Sequence, residues 1–245
     1  MRSARRLSCA SVVALAAAFV LIPTEASAGT TCLGQRATLL GTEGADRLEG
    51  TPGEDAIVGL AGDDHIDGLR GNDIVCGGSG RDATRLGPGA DVMFGGRDAD
   101  LLEGGDGDDV LIGEGGNDRL LGEGGHDDLV GQRGDDRLKG GAGIDTAGYA
   151  DGQIPGGVTV DLTAGISSGS HGSDPLRSIE NVDGSPGHDV LIGDEGPNRL
   201  RTYAGLDRLD GRNGDDALRG GGGTDRLDGG RGIDDCIGEI VTRCD

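Results

Sequence analysis

The sequence predicts an all-β fold, a β-solenoid of nine-residue units set in two arrays that an irregular segment joins. Three observations predict it. An aspartate recurs every nine residues without a slip, at Asp46, Asp55, Asp64, Asp73, Asp82, Asp91, Asp100, Asp109, Asp118, Asp127, Asp136 and Asp145. The phase resumes at Asp189, Asn198, Asp207, Asp216, Asp225 and Asp234. Two residues beyond each of these stands a mostly apolar residue, and two residues before it stands Gly in every unit but one, where Asp98 takes the place. A strict short period marks a repeat architecture and argues against disorder, which has no reason to keep a phase. The chain has 245 residues with no Trp, two Phe and two Tyr, so it lacks the large side chains that build a compact core.

The first element is a targeting segment at residues 1–28. Arg2, Arg5 and Arg6 make a positive start, residues 9–22 are apolar, and Ala26-Ser27-Ala28 supplies a small-residue cleavage pattern. The apolar stretch is too short to span a bilayer comfortably. The expectation is a secreted, extracellular protein exported by the general secretory route, with Gly29 as the mature start. Without Arg2, Arg5, Arg6 and Glu25 the chain keeps 19 basic and 43 acidic residues, a net charge near −24. A surface of that sign repels nucleic acid and anionic membranes, so neither nucleic-acid binding nor direct membrane insertion is expected.

The first array runs over residues 41–148 as twelve units, and the second over 184–237 as six. With the aspartate at position six, position eight of the first array reads Leu48, Ile57, Ile66, Val75, Thr84, Met93, Leu102, Leu111, Leu120, Leu129, Leu138 and Ala147. In the second it reads Leu191, Leu200, Leu209, Leu218, Leu227 and Cys236. The first six positions, rich in Gly and Asp, read as a turn, because Gly supplies the positive φ that tight turns need. The last three read as a short strand whose position eight faces in and whose positions seven and nine face out. Carboxylates at a fixed pitch repel one another unless cations sit between them, so the chain reads as a scaffold for cations.

This pattern, G-G-x-G-x-D-x-U-x with U apolar, resembles the hemolysin-type (RTX) calcium-binding repeat, and the resemblance covers 18 units or 162 residues. It implies a parallel β-roll in which two units make one coil and calcium ions lie between the turns of neighbouring coils. It also implies that the position-six residues, Asn198 included, are metal ligands, with glycine-rich turns contributing carbonyl oxygens. Calcium takes six to eight oxygen ligands, and roughly fourteen shared sites would then form and largely cancel the negative charge. Magnesium fits less well, since it demands octahedral geometry and keeps its water. One buried apolar side chain per unit, worth about 1.5–3 kcal/mol, is a small return for ordering nine glycine-rich residues. Folding is therefore expected to be coupled to calcium binding. Asn198 keeps an oxygen but loses the charge, which should weaken its sites.

Residues 149–183 break the period. Val158 to Leu162 alternates as a strand does, and the segment is expected to be a structural joint between two rolls. Four cysteines remain after the leader: Cys32, Cys76, Cys236 and Cys244. An even count in an exported chain favours disulfides. Of the three possible pairings, sequence proximity favours Cys32–Cys76 and Cys236–Cys244, which would fix an N-terminal cap at 29–40 and a C-terminal cap at 238–245.

No HExxH, GxSxG or P-loop motif occurs, so no enzyme activity is expected. The recurring acidic pairs, such as Asp108-Asp109, mark turns rather than a glycosidase pair. His65, His126, His171 and His188 read as solvated surface residues. The expected function is that of a secreted calcium-binding protein with a structural or adhesive role towards a cell surface, a matrix or a second copy. The alternative is the calcium-stabilised module of a secreted hydrolase or toxin-like protein.

Overall fold

The computed structural model describes residues 31–150, 154 and 156–244, and the expected leader at 1–28 lies outside the described residues. Among the described residues every regular element is a strand, and no helix is long and apolar enough to cross a membrane. The nonapeptide period appears directly as topology. Units alternate between two walls, so each strand pairs in parallel with the strand two units away. Leu102 is opposite Leu120 in one wall, and Leu111 is opposite Leu129 in the other. Eighteen residues therefore make one coil of a parallel β-roll. The glycines of the turn let strands such as Val110–Gly115 and Arg119–Gly124 run on past the three residues the pattern predicts.

Position eight builds the core. Ile57, Ile66, Val75, Met93, Leu102, Leu111, Leu120 and Leu129 are wholly buried, and the same single cluster continues through Leu191, Leu200, Leu209, Leu218 and Leu227. Thr84 is buried at this position too, and Leu86, which replaces the opening glycine of the next unit, joins the cluster beside it. Positions seven and nine point outward, as their alternation requires. They are not all polar: Val110, Ile112 and Val130 form a second apolar cluster on the outer face of one wall, flanked by Val92 and Phe94.

The joint does not separate the arrays. One eleven-stranded sheet passes straight through it, with Ala147 opposite Val182 and Val182 opposite Leu200. On the other wall Leu138 pairs with Leu176, and an antiparallel hairpin of Val158–Asp161 and Ile166–Gly169 is inserted before the second array resumes at Val190–Ile192. Val158 and Val160 bury their side chains in the common core. The two arrays and the segment that joins them thus share one sheet and one core. His171, expected at the surface, is 3% exposed and meets the buried ring of Tyr149 edge-on at 5.6 Å between centroids. It is buried because its segment follows the wall instead of looping out.

Both ends are tied down by the expected disulfides. Cys32 joins Cys76, holding the strand pair Thr31–Cys32 and Gln35–Arg36 beside the first coils. Leu39–Leu40 extends the long sheet at that end. Cys236 joins Cys244, and Ile240–Thr242 adds a last strand to Arg226–Asp228.

Candidate metal centre

Each position-six residue stands in the turn just before its strand, and the two-unit coil sorts them into rows. Asp46, Asp64, Asp82, Asp100, Asp118 and Asp136 follow one another along one edge, and Asp55, Asp73, Asp91, Asp109, Asp127 and Asp145 along the opposite one. Within a row each carboxylate is held from the coil before it. The backbone N–H of Asp55 donates to Asp73 Oδ1 at 2.8 Å, that of Asp91 to Asp109 Oδ1 at 2.9 Å, and that of Asp109 to Asp127 Oδ1 at 2.9 Å. The second array repeats the contact, from Asp189 to Asp207 at 2.9 Å and from Asn198 to Asp216 at 2.8 Å.

The other oxygen is left over. Oδ2 of Asp64, of each array aspartate from Asp73 to Asp145, and of Asp207, Asp216 and Asp225 is buried without a hydrogen-bond partner. Buried unpaired carboxylate oxygens are rare because desolvation is costly, and a regular row of them is suited to a positive partner. Backbone oxygens converge on the same places. A Cβ added to the opening glycine Gly104 would meet both Asp109 Oδ2 and, at 2.9 Å, the carbonyl oxygen of Gly122 one coil on. Gly50 shows the same pair, with Asp55 Oδ2 at 3.0 Å and the Gly68 carbonyl oxygen at 2.8 Å. Glycine at position one thus keeps open a space lined by a carboxylate and a carbonyl, which is an oxygen donor set suited to a hard cation. Among the described residues no three His, Cys, Asp or Glu side chains gather into a metal-holding group. A cation held here would draw on carbonyl oxygens as well as carboxylates.

Electrostatics follow the same division. Burial, aided by neighbouring carboxylates of the same row, pushes Asp100 and Asp109 up to about 8 and Asp136 up to about 7. Asp91 is pushed up to about 7 in the same way. At Asp55 desolvation also pushes upward, but hydrogen bonds from Thr51 and Thr38 outweigh it and hold the carboxyl below its usual value. Thr51 donates to Asp55 Oδ2 through its N–H at 2.6 Å and its hydroxyl at 2.9 Å. Thr42 does the same for Asp46, and the Ser185 N–H and hydroxyl serve Asp189. The opening turns of both arrays therefore satisfy their own carboxylates, whereas the interior ones do not.

A profile of the RTX calcium-binding nonapeptide repeat (4 copies) matches residues 38–62, 49–83, 86–120, 112–147, 183–218 and 202–236. These spans cover well over half of the chain. The chain belongs to the RTX calcium-binding repeat family. No curated protein matches it. The RTX pattern accounts for the strained turn positions: in most units position four sits at positive φ, as at Gly107 (φ 136°), where an added Cβ would run into the Gly89 carbonyl. Asp98 accepts that left-handed conformation at φ 74°, a conformation Asp tolerates better than most residues.

Three acidic residues of the RTX roll escape the period. Asp136 N–H donates to Asp174 Oδ1 at 3.0 Å, Asp145 N–H to Glu180 Oε2 at 2.8 Å, and Asp225 N–H to Glu239 Oε2 at 3.0 Å. Asp174 carried a legible signal: Gly169, Gly172, Asp174 and Leu176 reproduce positions one, four, six and eight, displaced by two residues from the phase of the first array. Glu180 and Glu239 carry none, because their turns are shortened and a longer side chain makes up the reach. Asn198 turns its amide NH2 towards the Glu180 carbonyl at 2.8 Å, so a neutral hydrogen bond stands on that rung.

Proposed function

We propose that the protein is a secreted, extracellular calcium-binding roll whose folding is driven by the metal and whose role is structural or adhesive. The ligands are the position-six residues of the two arrays, each sharing its ion with backbone carbonyl oxygens of the neighbouring coil. The observation that carries this reading is the row of buried carboxylate oxygens without donors, from Asp64 to Asp145 and again at Asp207, Asp216 and Asp225. A divalent ion neutralises the charge that burial would otherwise expel, which makes binding and folding one event. Two disulfides support export to an oxidising compartment. No enzymatic role is proposed, since the acidic pairs recur as turn residues along the roll rather than meeting once in a cleft.

Calcium titration followed by far-UV circular dichroism and light scattering tests the proposal. The expected result is little β structure in excess chelator at pH 7.5 and cooperative gain on adding calcium, with magnesium far less effective. Full β structure in chelator at that pH would overturn it. Scattering that rises with the dichroism would identify the second copy as a partner, and scattering that stays flat directs the search to surfaces and matrix.

A further inference from the structure

The family match stops at residue 147 and resumes at residue 183, yet the row of donors and acceptors does not stop there. Asp145 is wholly buried, its N–H is taken by Glu180 Oε2 at 2.8 Å, and its own Oδ2 has no partner. A Cβ added to Gly140 would meet two oxygens, Asp145 Oδ2 and the carbonyl oxygen of Ser178. In the arrays that second place belongs to the opening glycine of the next coil, as Gly122 serves Gly104. The joint therefore supplies the second oxygen of the same pair from an unrelated stretch of sequence. Its turn is shorter, and Glu replaces Asp because one more methylene carries the carboxylate back to the Asp145 N–H. A cavity lined by Ser178, Glu180 and Asp194 opens here, and both Asp145 and Asp194 repel Glu180.

We propose that Asp145, Glu180 and the Ser178 carbonyl form a calcium site within the joint, and that this ion couples the two arrays into one cooperative unit. The inference rests on the calcium reading above and deepens it. Asp174, the joint carboxylate that accepts the Asp136 N–H, is finished differently: its Oδ2 accepts the Ser167 hydroxyl at 2.7 Å, so a neutral donor closes that row. On the far side of Glu180 the Asn198 amide closes the next rung without charge. The joint site thus stands at the boundary between two sets of array sites, and Asp194 belongs to the second array. An ion held there ties the first array, through Asp145, to the joint, through Glu180 and Ser178, in a cavity that Asp194 of the second array also lines.

The test counts bound calcium by native mass spectrometry and follows chelator-induced unfolding of the full chain, comparing wild type with Glu180→Gln and Glu180→Ala. Glu180→Gln keeps an oxygen for the Asp145 N–H and removes only the charge, so it separates ligation from backbone support. The expected result for both variants is the loss of one bound calcium and the splitting of one unfolding transition into two. A Glu180→Gln protein with the full wild-type calcium count and a single transition would overturn the proposal. A wild type that binds no calcium would instead overturn the functional reading itself. If Glu180→Ala loses the ion and Glu180→Gln does not, the charge is not a ligand and the proposal also fails.

Discussion

Asp109 donates its backbone N–H to Asp127 Oδ1 at 2.9 Å, while Asp127 keeps Oδ2 buried and unpaired. One oxygen of each interior carboxylate is thus spent on holding coils in register, and the other is free for a cation. Most of the behaviour expected of this roll follows from that division.

The first consequence concerns pH. Burial first, then neighbouring carboxylates, raise Asp100 and Asp109 to about 8, Asp91 and Asp136 to about 7, and Asp73 and Asp82 to about 6, from 3.8. A metal-free roll therefore holds protons that the unfolded chain has released, so its stability is full below about pH 4 and is lost as pH rises through 6 to 8. In chelator, far-UV dichroism should show more β structure at pH 5 than at pH 8. Protons and calcium compete for the same oxygens, so the calcium midpoint should rise as pH falls. A β signal in chelator that is flat or increases with pH would contradict this.

Substitution at a single rung separates the two oxygens. Asp127→Asn keeps an acceptor for the Asp109 N–H and removes the charge, and should cost one bound calcium. Asp127→Ala also leaves that N–H unsatisfied, adding about 1–3 kcal/mol of destabilisation. Urea unfolding in saturating calcium should rank wild type above Asn and Asn above Ala.

Inside the roll, glycine at position four is required by close approach, as at Gly107. Gly107→Ala would drive a Cβ into the Gly89 carbonyl at a φ of 136°, whereas Gly115→Ala meets nothing nearer than the Gly96 carbonyl oxygen at 3.9 Å. Thermal unfolding in calcium should show a loss of more than about 2 kcal/mol for the first and under about 1 kcal/mol for the second. Equal losses at both sites would dismiss the steric account.

Thr51→Val removes the hydroxyl that serves Asp55 Oδ2 at 2.9 Å and should destabilise the first coils by about 1 kcal/mol. Because the orphaned oxygen then resembles those of the interior, the loss should shrink as calcium is raised. Hydrogen exchange at the Asp55 and Ala56 amides, with and without calcium, measures it.

Removing the Cys32–Cys76 bridge, which spans 44 residues, should destabilise the calcium-loaded roll by about 2–4 kcal/mol. The Cys236–Cys244 bridge spans 8 residues and constrains the unfolded chain less, so its loss should cost less. Melting of the two double-serine variants in calcium compares them, and the reverse order would show that the C-terminal bridge acts through the native cap.

The roll, its two-unit coil and the core at position eight were all legible in residues such as Asp109 and Leu111, because a strict period leaves each unit only one way to stack on the next. The row of carboxylates was legible for the same reason wherever the phase held. Asp174 was within reach, since Gly172 and Leu176 keep their spacing around it. Glu180 and Glu239 were not, because a shortened turn erases the period and only the coil beneath shows which carboxylate receives the Asp145 or Asp225 N–H. His171 was misplaced for a related reason: its burial depends on Tyr149 and on a wall that continues behind it.

Local rules of the nonapeptide settle the turn, the strand and the inward residue, since each depends on neighbours within nine positions. The union of two arrays into one sheet depends on contacts such as Ala147 to Val182, made across 35 residues of aperiodic chain. Stacking fixed at one face of a coil accepts any segment that presents a strand and a carboxylate at the right height. Tertiary structure alone determines which segment does so.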